Sequence, residues 1–281
     1  MTGQVYKFWR DRMFNALVGF AVVTVLAIPA WIAISLLLEA WPRLDWAFLS
    51  QLPERSGRSG GISSILVSTL IILLTAMTVT VPLGIGTAIF LRDTRAPIAS
   101  LLKRGLDTLS ALPSIVIGLF GLIVFGDRLG LGYSLACGGL SLACMLLPLF
   151  IRLGESALAA VPPEQIQQAR ALGFSRWSQL RRVELAFAYP GLLTALMLCA
   201  GRGLAETAVL IFTAGSSDRM PSSLLDPGRS LSVHIYELAM NIAGGDASAA
   251  ATALVLMVGW SLIQWPVAIY ASRHSATENF S

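Results

Sequence analysis

Long apolar segments constrain the fold of this chain more than any other feature of its sequence. A helix needs about 20 apolar residues to cross the hydrocarbon layer, where only a helix or a closed barrel satisfies its own backbone groups. Hydrophobic residues make up 55% of the chain and charged residues 13%, whereas about a quarter of an ordinary soluble domain is charged. The sequence therefore predicts an all-α polytopic membrane protein with six transmembrane helices, at residues 15–38, 62–91, 106–125, 133–151, 189–213 and 248–271.

The third predicted span is interrupted by Pro113, Gly118 and Gly121. In a membrane helix these residues can merely allow close packing or a kink. They can equally produce a broken helix whose end lines a transport pathway. The sequence leaves both alternatives open.

Basic residues are distributed unevenly between the two sides of the predicted bundle. With six spans both termini share a side, and that side carries 13 of the 20 lysine and arginine residues, compared with six on the opposite side. The positive-inside rule therefore predicts cytoplasmic termini. The first apolar run is too long for a signal peptide, which predicts an uncleaved first helix. The net charge of +4 requires no nucleic-acid partner, because the basic residues lie where the topology needs them.

Two charged residues, Arg202 and Glu206, lie four positions apart within the fifth apolar segment. Charges at bilayer depth are costly, and they persist mostly where they line a pathway or hold an interface. The spacing predicts that both side chains lie on one face of a helix. Arginine suits an oxyanion because its planar fork donates two parallel hydrogen bonds. The pair is therefore a candidate substrate site, and an ion pair that only fixes an interface is the alternative.

No pattern in the sequence indicates a catalytic, cofactor or metal site. The three cysteines fall within apolar segments without the spacing of metal ligands, and the two histidines form no cluster with carboxylates. The phosphate-binding loop G-x-x-x-x-G-K-[ST] is absent from the sequence. Any transport by this protein must therefore be driven by an ion gradient or by ATP hydrolysis in a partner protein.

The predicted loop between the fourth and fifth spans, residues 152–187, is longer than a connection between packed helices requires. Pro163 and Glu164 are typical of a helix start, and Gly173 suits the left-handed position after a helix end. Ser175 is placed to cap a second short helix. The pattern predicts a compact helix–turn–helix at the membrane surface, acting either as a docking site or as an amphipathic hairpin that only anchors the loop.

This loop resembles the coupling segment of ABC importer permeases, whose pattern is E-A-A-x-x-x-G-x(9)-I-x-L-P. Ala169, Gly173 and Leu185 match the pattern, and Val183 is a conservative replacement. The glutamate, the first alanine and the proline are absent. In that family the turn docks on the cytoplasmic ATPase. The resemblance implies that the ATPase contacts Ala169, Ala171, Leu172, Gly173, Phe174, Ser175 and Trp177.

Further motifs resemble those of the A-type subunits (PstA) of phosphate importer permeases. The similar motifs are GGI at 60–62, LPSIVIGLFG at 112–121, LP with IR at 147–152, and GRGLAETAVLIF at 201–212. Ala205 and Val209 replace the glycine and proline of the last motif, which predicts a stiffer fifth helix. The resemblance implies a type I ABC importer permease fold, with a substrate path that includes Arg202, Glu206, Thr207, Arg152, Pro113 and Ser114. The alternative for Arg152 is that it is only one of the basic residues that flank the cytoplasmic end of the fourth span.

The resemblance also implies partners and a location. The partners are a C-type permease subunit that completes a heterodimer, two copies of an ATP-binding cassette ATPase, an extracytoplasmic phosphate-binding protein and the lipid of a bacterial inner membrane. The chain itself is then not an enzyme and carries no cofactor. Residues 1–61 form an N-terminal segment, first helix and outer loop, and residues 62–281 form a five-helix core with the coupling loop at 152–187. A permease for molybdate, tungstate or phosphite, an ion-gradient-driven secondary transporter and a membrane regulator of phosphate signalling stay open as alternatives.

Overall fold

The structure, a computed structural model, describes residues 2–94 and 97–278, and the side chains of residues 12–94 and 97–265. The described residues are mostly helical, with one antiparallel ribbon in which Pro53 pairs with Gly60. The strands of this ribbon are β1 (Pro53–Glu54) and β2 (Ser59–Gly60). The helices are α1 (Thr2–Ala40), α2 (Trp46–Ser50), α3 (Ser63–Asp93), α4 (Pro97–Ala111), α5 (Ser114–Gly121), α6 (Leu135–Ala159), α7 (Pro163–Ala171), α8 (Arg176–Gln179), α9 (Leu185–Leu204), α10 (Ala208–Thr213), α11 (Leu231–Met240) and α12 (Asp246–Glu278).

Five helical segments of the described residues are long and apolar enough to cross a membrane, and the bent pair of α4 and α5 adds a sixth if it is counted as one span. The five segments are Arg12–Arg43, Ser63–Asp93, Leu135–Ala159, Arg176–Leu204 and Asp246–Trp265. The predicted all-α, multi-pass membrane architecture is therefore confirmed.

The third predicted span is a broken helix. α4 ends at Ala111, α5 begins at Ser114, and a bend of 104° separates them. Proline has no N–H and disfavours helical backbone in the residue before it. Pro113 has a ψ of 140° and lies immediately before the first residue of α5. It therefore precedes the new helix and does not extend α4. A continuous helix over residues 106–125 is wrong, and the broken-helix alternative describes this segment.

The helices on either side of the predicted coupling loop are longer than expected. α6 continues to Ala159, so Arg152 lies about two turns inside this helix and not at its end. The helix that starts at Arg176 passes through a π-helical turn, Leu180–Glu184, and continues directly as α9. The predicted separate second short helix and the predicted span start at residue 189 are therefore wrong. The connection consists of α7 and its flanking turns.

Close contacts among α3, α6 and α9 form the centre of the bundle. A Cβ placed on Gly84 of α3 would lie 2.4 Å from Phe150 Cδ1 of α6. A Cβ placed on Gly191 of α9 would lie 2.6 Å from Ala157 Cβ of α6. Small residues stabilise membrane helix pairs because they allow backbones to approach closely. These contacts fix the relative positions of the helices that carry the site.

A helix that the sequence analysis does not predict, α11, packs into the bundle between the fifth and sixth spans. Its Leu231 N–H donates to Thr69 Oγ1 of α3 at 2.9 Å, and its Val233 and Leu238 side chains are fully buried. α12 packs against α11 and α9, and α1 packs against α12. The segment before the sixth span is therefore part of the folded core.

Candidate functional site

A cavity of about 220 Å³ opens beside the break between α4 and α5. Residues of α4, α5, α6 and α9 surround it, and they combine two guanidinium groups, two hydroxyl groups and apolar side chains. The lining residues are Leu109, Ser110, Leu112, Ser114, Ile117, Met145, Pro148, Leu149, Arg152 and Arg202. The structure thus brings together three predicted path residues, Ser114, Arg152 and Arg202, and Pro113 forms the break that lies beside them.

Arg202 and Arg152 lie at different depths along this cavity. A Cβ on Gly203 would lie 3.3 Å from Leu146 Cδ1, which places Arg202 beside the middle of α6. Arg152 follows Leu146 along α6 by about 9 Å, at 1.5 Å of rise per residue. Both arginines are exposed on the surface of the isolated chain. The cavity therefore carries two guanidinium groups at two different levels along α6.

Arg152 has an acidic partner that the sequence analysis did not identify. It forms an ion pair with Asp107 of α4, and nearby Lys103 Nζ lies 2.8 Å from Glu155 Oε1. The two pairs join α4 to α6. The side chains of Arg152 and Asp107 are 53% and 61% exposed, so solvent screens their attraction. An anion can therefore compete with Asp107 for Arg152 at low cost.

Glu206 and Thr207 lie in a break between α9 and α10, and not on a helix face shared with Arg202. Glu206 Oε1 lies 3.4 Å from Val209 N at the start of α10, and Ser232 Oγ of α11 donates to the Glu206 carbonyl at 2.5 Å. Within the described part of the chain, no ion pair links Arg202 to Glu206, and Glu206 does not line the cavity. The predicted shared face and the predicted stiffer helix are wrong, because α11 supplies a hydrogen bond that stabilises the break.

The predicted turn between α7 and α8 is present. Gly173 has a φ of +75°, a left-handed value that favours glycine. Its N–H donates to the Arg170 carbonyl and the Phe174 N–H donates to the Ala169 carbonyl, both at 3.0 Å, which is the Schellman pattern of a helix end. Ser175 caps the next helix because its Oγ accepts a backbone N–H at 3.3 Å.

This turn presents apolar side chains on its surface. Leu172 is 75% exposed and Trp177 is 68% exposed, and Ala171 is also exposed. A Cβ on Gly173 would meet no atom within 4 Å. Ala169, in contrast, is buried and supports the turn from inside. Exposed apolar side chains that lie close together, such as Leu172 and Trp177, are typical of a protein contact surface.

Comparison with known proteins identifies the family of this chain. The family described as "Binding-protein-dependent transport system inner membrane component" matches residues 80–275, a range that contains both the cavity and the turn. This chain belongs to that family.

Several curated relatives of this permease are similar over most of their length. "Probable ABC transporter permease protein YqgI" of Bacillus subtilis (strain 168) is 30% identical, over 81% of this chain and 83% of the relative. "Phosphate transport system permease protein PstA 2" of Mycobacterium bovis (strain ATCC BAA-935 / AF2122/97) is 31% identical, over 77% and 73%. "Phosphate transport system permease protein PstC" of Haemophilus influenzae (strain ATCC 51907 / DSM 11121 / KW20 / Rd) is 31% identical, over 89% of both chains.

The fold of the permease also occurs in solved transporters. A crystal structure of "a bacterial ABC transporter involved in the import of the acidic polysaccharide alginate" matches with a TM-score of 0.67, over 94% of this chain and 96% of that chain, at 14% sequence identity. At this identity the match shows the fold alone. Together with the family match, it confirms the predicted type I ABC importer permease fold.

The permease also contains an ion cluster around a buried carboxylate that the sequence analysis missed. Glu184 is 1% exposed and accepts hydrogen bonds from Arg92 Nη1 and Gln179 Nε2, each at 2.6 Å. Glu184 also pairs with Arg176, which in turn pairs with Asp93. The cluster joins the end of α3 to the base of the α8–α9 helix. The only sign of this cluster in the sequence is Glu184 itself, a single carboxylate between basic and apolar residues.

A second buried polar group joins α11 to the segment before it. Arg229 Nε and Nη2 donate to the Ser216 carbonyl at 3.0 and 2.7 Å, and Arg229 Nη1 lies 3.2 Å from His234 Nδ1. A Cβ on Gly57 would lie 2.3 Å from His234 Cε1, so the turn at Gly57 packs directly on the ring. Burial, together with the Arg229 cation, lowers the pKa of His234 to about 3. The ring is therefore neutral at neutral pH and accepts a hydrogen bond from Arg229.

The described residues provide no metal site. No group of three or more histidine, cysteine, aspartate or glutamate side chains that could hold a metal ion occurs within residues 12–94 and 97–265. The three cysteines are free thiols, either buried or half-buried.

Proposed function

We propose that this chain is the A-type permease subunit of an ATP-driven importer of inorganic phosphate. The observation that carries the proposal is the cavity in which Arg152 and Arg202 lie together with Ser110 and Ser114. Arginine donates two parallel hydrogen bonds to an oxyanion, and serine hydroxyls supply further donors. The similarity to relatives named as phosphate permeases supports phosphate as the substrate.

A transport site must release its anion as well as bind it. Asp107 competes with the anion for Arg152. Because this ion pair is exposed to solvent and therefore weak, Arg152 binds neither Asp107 nor the anion tightly. We therefore expect weak anion binding in the permease, with selection for phosphate in an extracytoplasmic binding protein.

We assign the turn at residues 172–175, the coupling turn, to the cytoplasmic side, because the excess of basic residues predicts cytoplasmic termini. Leu172 and Trp177 beside it would dock on an ATP-binding cassette ATPase. The proposed assembly contains this chain, a C-type permease subunit and two copies of the ATPase. ATP binding draws the ATPases together, and the coupling turn passes this motion to the helices. The chain itself hydrolyses no ATP and needs no cofactor in this scheme.

Uptake by the reconstituted complex tests the proposed function. Vesicles that contain both permeases and the ATPase receive the binding protein and radiolabelled phosphate, with molybdate, tungstate and phosphite as competitors. We expect uptake that requires ATP and that unlabelled phosphate suppresses most strongly. Preferred uptake of another oxyanion, or uptake on an ion gradient without the ATPase, would contradict the proposal.

Substitutions at Arg202 separate a path role from a structural one. In the path role, Arg202→Gln removes a charge that the anion needs, so uptake fails although the complex assembles. In the structural role, Arg202 pairs with a carboxylate at the interface with the second permease, and the same change leaves that carboxylate unpaired and weakens assembly. Assembly of Arg202→Gln therefore decides between the two roles. Failed uptake by an intact complex supports the path role, and loss of assembly supports the structural role.

A further inference from the structure

The buried carboxylate of Glu184 contacts two parts of the molecule. We call the group that surrounds it the Glu184 cluster; its members are Arg92, Asp93, Arg176, Gln179 and Glu184. Oε2 of Glu184 faces Arg92 at the end of α3 at 2.6 Å. Oε1 accepts from Gln179 Nε2 at 2.6 Å and also pairs with Arg176, both on α8. Because Glu184 is almost fully buried, water cannot replace these partners when one of them moves.

The α8 side of the cluster is continuous with the coupling turn. Arg176 directly follows the cap residue Ser175. Gln179 Oε1 lies 3.4 Å from Arg170 Nε of α7, so both helices that hold the turn contact the cluster. A displacement of the turn therefore acts on Glu184 through short side-chain connections.

The α3 side of the cluster leads to the cavity. Arg92 and Asp93 are the last residues of α3, and α3 packs along α6, the helix that carries Arg152. The contact of Gly84 with Phe150 leaves no room for α3 to slide freely past α6. A force on the end of α3 therefore reaches the wall of the cavity.

The backbone at Glu184 is also unusual. Glu184 ends the π-helical turn at Leu180–Glu184, which interrupts the regular helix between α8 and α9. Turns of this kind are rare and occur often at functional sites. Glu184, the last residue of this turn, contacts Arg92 at the end of α3.

We propose that Glu184 is a positioning residue that transmits movement of the coupling turn to α3. The inference rests on the proposed function in one respect, the docking of the turn on an ATPase. It assigns the transmission to one carboxylate and its two groups of partners, and it does not depend on which anion is transported.

Fluorescent reporters in the assembled complex test this inference. The three native cysteines are replaced by alanine, and a single cysteine labelled with bimane is placed either at Leu83, which is 55% exposed on α3, or at Glu164, which is exposed on α7. In the wild-type complex, ATP with vanadate should change the emission of both labels. In Glu184→Gln, the label at Glu164 should still respond and the label at Leu83 should not.

The partner residue and a matched control sharpen the test. Arg92→Gln breaks the same connection from the α3 side, so it should reproduce the loss at Leu83. The two changes together should be no worse than either alone, because they remove one interaction. Glu155→Gln removes a different carboxylate from an ion pair, the one with Lys103, and should leave both responses intact.

A normal response at Leu83 in Glu184→Gln and Arg92→Gln would overturn the inference. Loss of the response at both labels in intact complexes would also overturn it, since the defect would then lie in docking. If Glu184→Gln does not assemble, Arg92→Gln decides, because Arg92 is 23% exposed and its loss leaves Gln179 and Arg176 to pair with Glu184. Phosphate uptake by the wild-type complex is measured separately, so a failure there counts against the proposed function and not against the link through Glu184.

Discussion

Mild acid should destabilise the folded permease through His234. The pKa of this histidine falls from an ordinary value of 6.5 to about 3 in the fold, chiefly through burial and also through Arg229. Above pH 6.5 the ring is neutral in both the folded and unfolded states, so its contribution to stability is fully present. Below pH 6.5 the unfolded chain binds a proton that the folded chain does not bind, and the free energy of unfolding falls by about 1.4 kcal/mol per pH unit. The loss is about 2 kcal/mol at pH 5.0 and continues until about pH 3.

Thermal unfolding of the purified permease in detergent, followed by tryptophan fluorescence at pH 7.5 and 5.0, measures this loss. His234→Asn is the matched control, because an asparagine Oδ1 takes roughly the place of Nδ1 and still accepts from Arg229, but does not titrate. The wild-type protein should lose about 2 kcal/mol more than His234→Asn between the two pH values. Other titrating groups are common to both proteins and cancel in this difference. Equal pH dependence of the two proteins would refute a neutral, buried His234.

Three further predictions concern topology, coupling and the cavity. A reporter that is active only outside the cytoplasm should be active when fused after Arg229 and silent after Arg176, and the reverse pattern would contradict the assigned orientation. Gly173→Asp places a side chain on left-handed backbone, which costs about 1–2 kcal/mol of stability, and adds charge to the docking surface. The complex should still insert into the membrane, but its ATPase should no longer respond to the binding protein. Normal uptake by this variant would exclude the turn as the link to the ATPase. Asp107→Asn removes the competitor for Arg152, so the Kd for phosphate of the permease pair, measured without the binding protein, should fall, by about fivefold or less because an exposed ion pair contributes about 1 kcal/mol at most, whereas the control Glu155→Gln should leave this Kd unchanged.

Local residue chemistry accounts for the features that the sequence predicts correctly. Apolar length identifies the spans because a bilayer imposes it on every helix. Gly173 and Ser175 identify the coupling turn because its hydrogen bonds connect near neighbours in the chain. Pro113 indicates an interruption for the same reason, although only the three-dimensional structure distinguishes the 104° break from a simple kink.

Features that depend on distant parts of the chain could not be predicted in this way. The break at Glu206 contains neither proline nor glycine, and its carbonyl is satisfied by Ser232, which lies 26 residues later. Asp107 and Arg152 are 45 residues apart, and their pairing follows from the packing of α4 on α6. A helical spacing rule applied to Arg202 and Glu206 therefore fails, because it assumes a continuous helix that contacts with α11 interrupt.

The Glu184 cluster also determines when the bundle can be completed during synthesis. Glu184 lies 92 residues after Arg92 in the chain. At a synthesis rate of about 5–20 residues per second, α3 waits about 5–20 s before its carboxylate partner has been made. Until then water and lipid headgroups must hold the charges of Arg92 and Asp93 at the membrane surface. The last turn of α3 is therefore fixed later than the middle of the helix, which can pack on α6 as soon as α6 has been made.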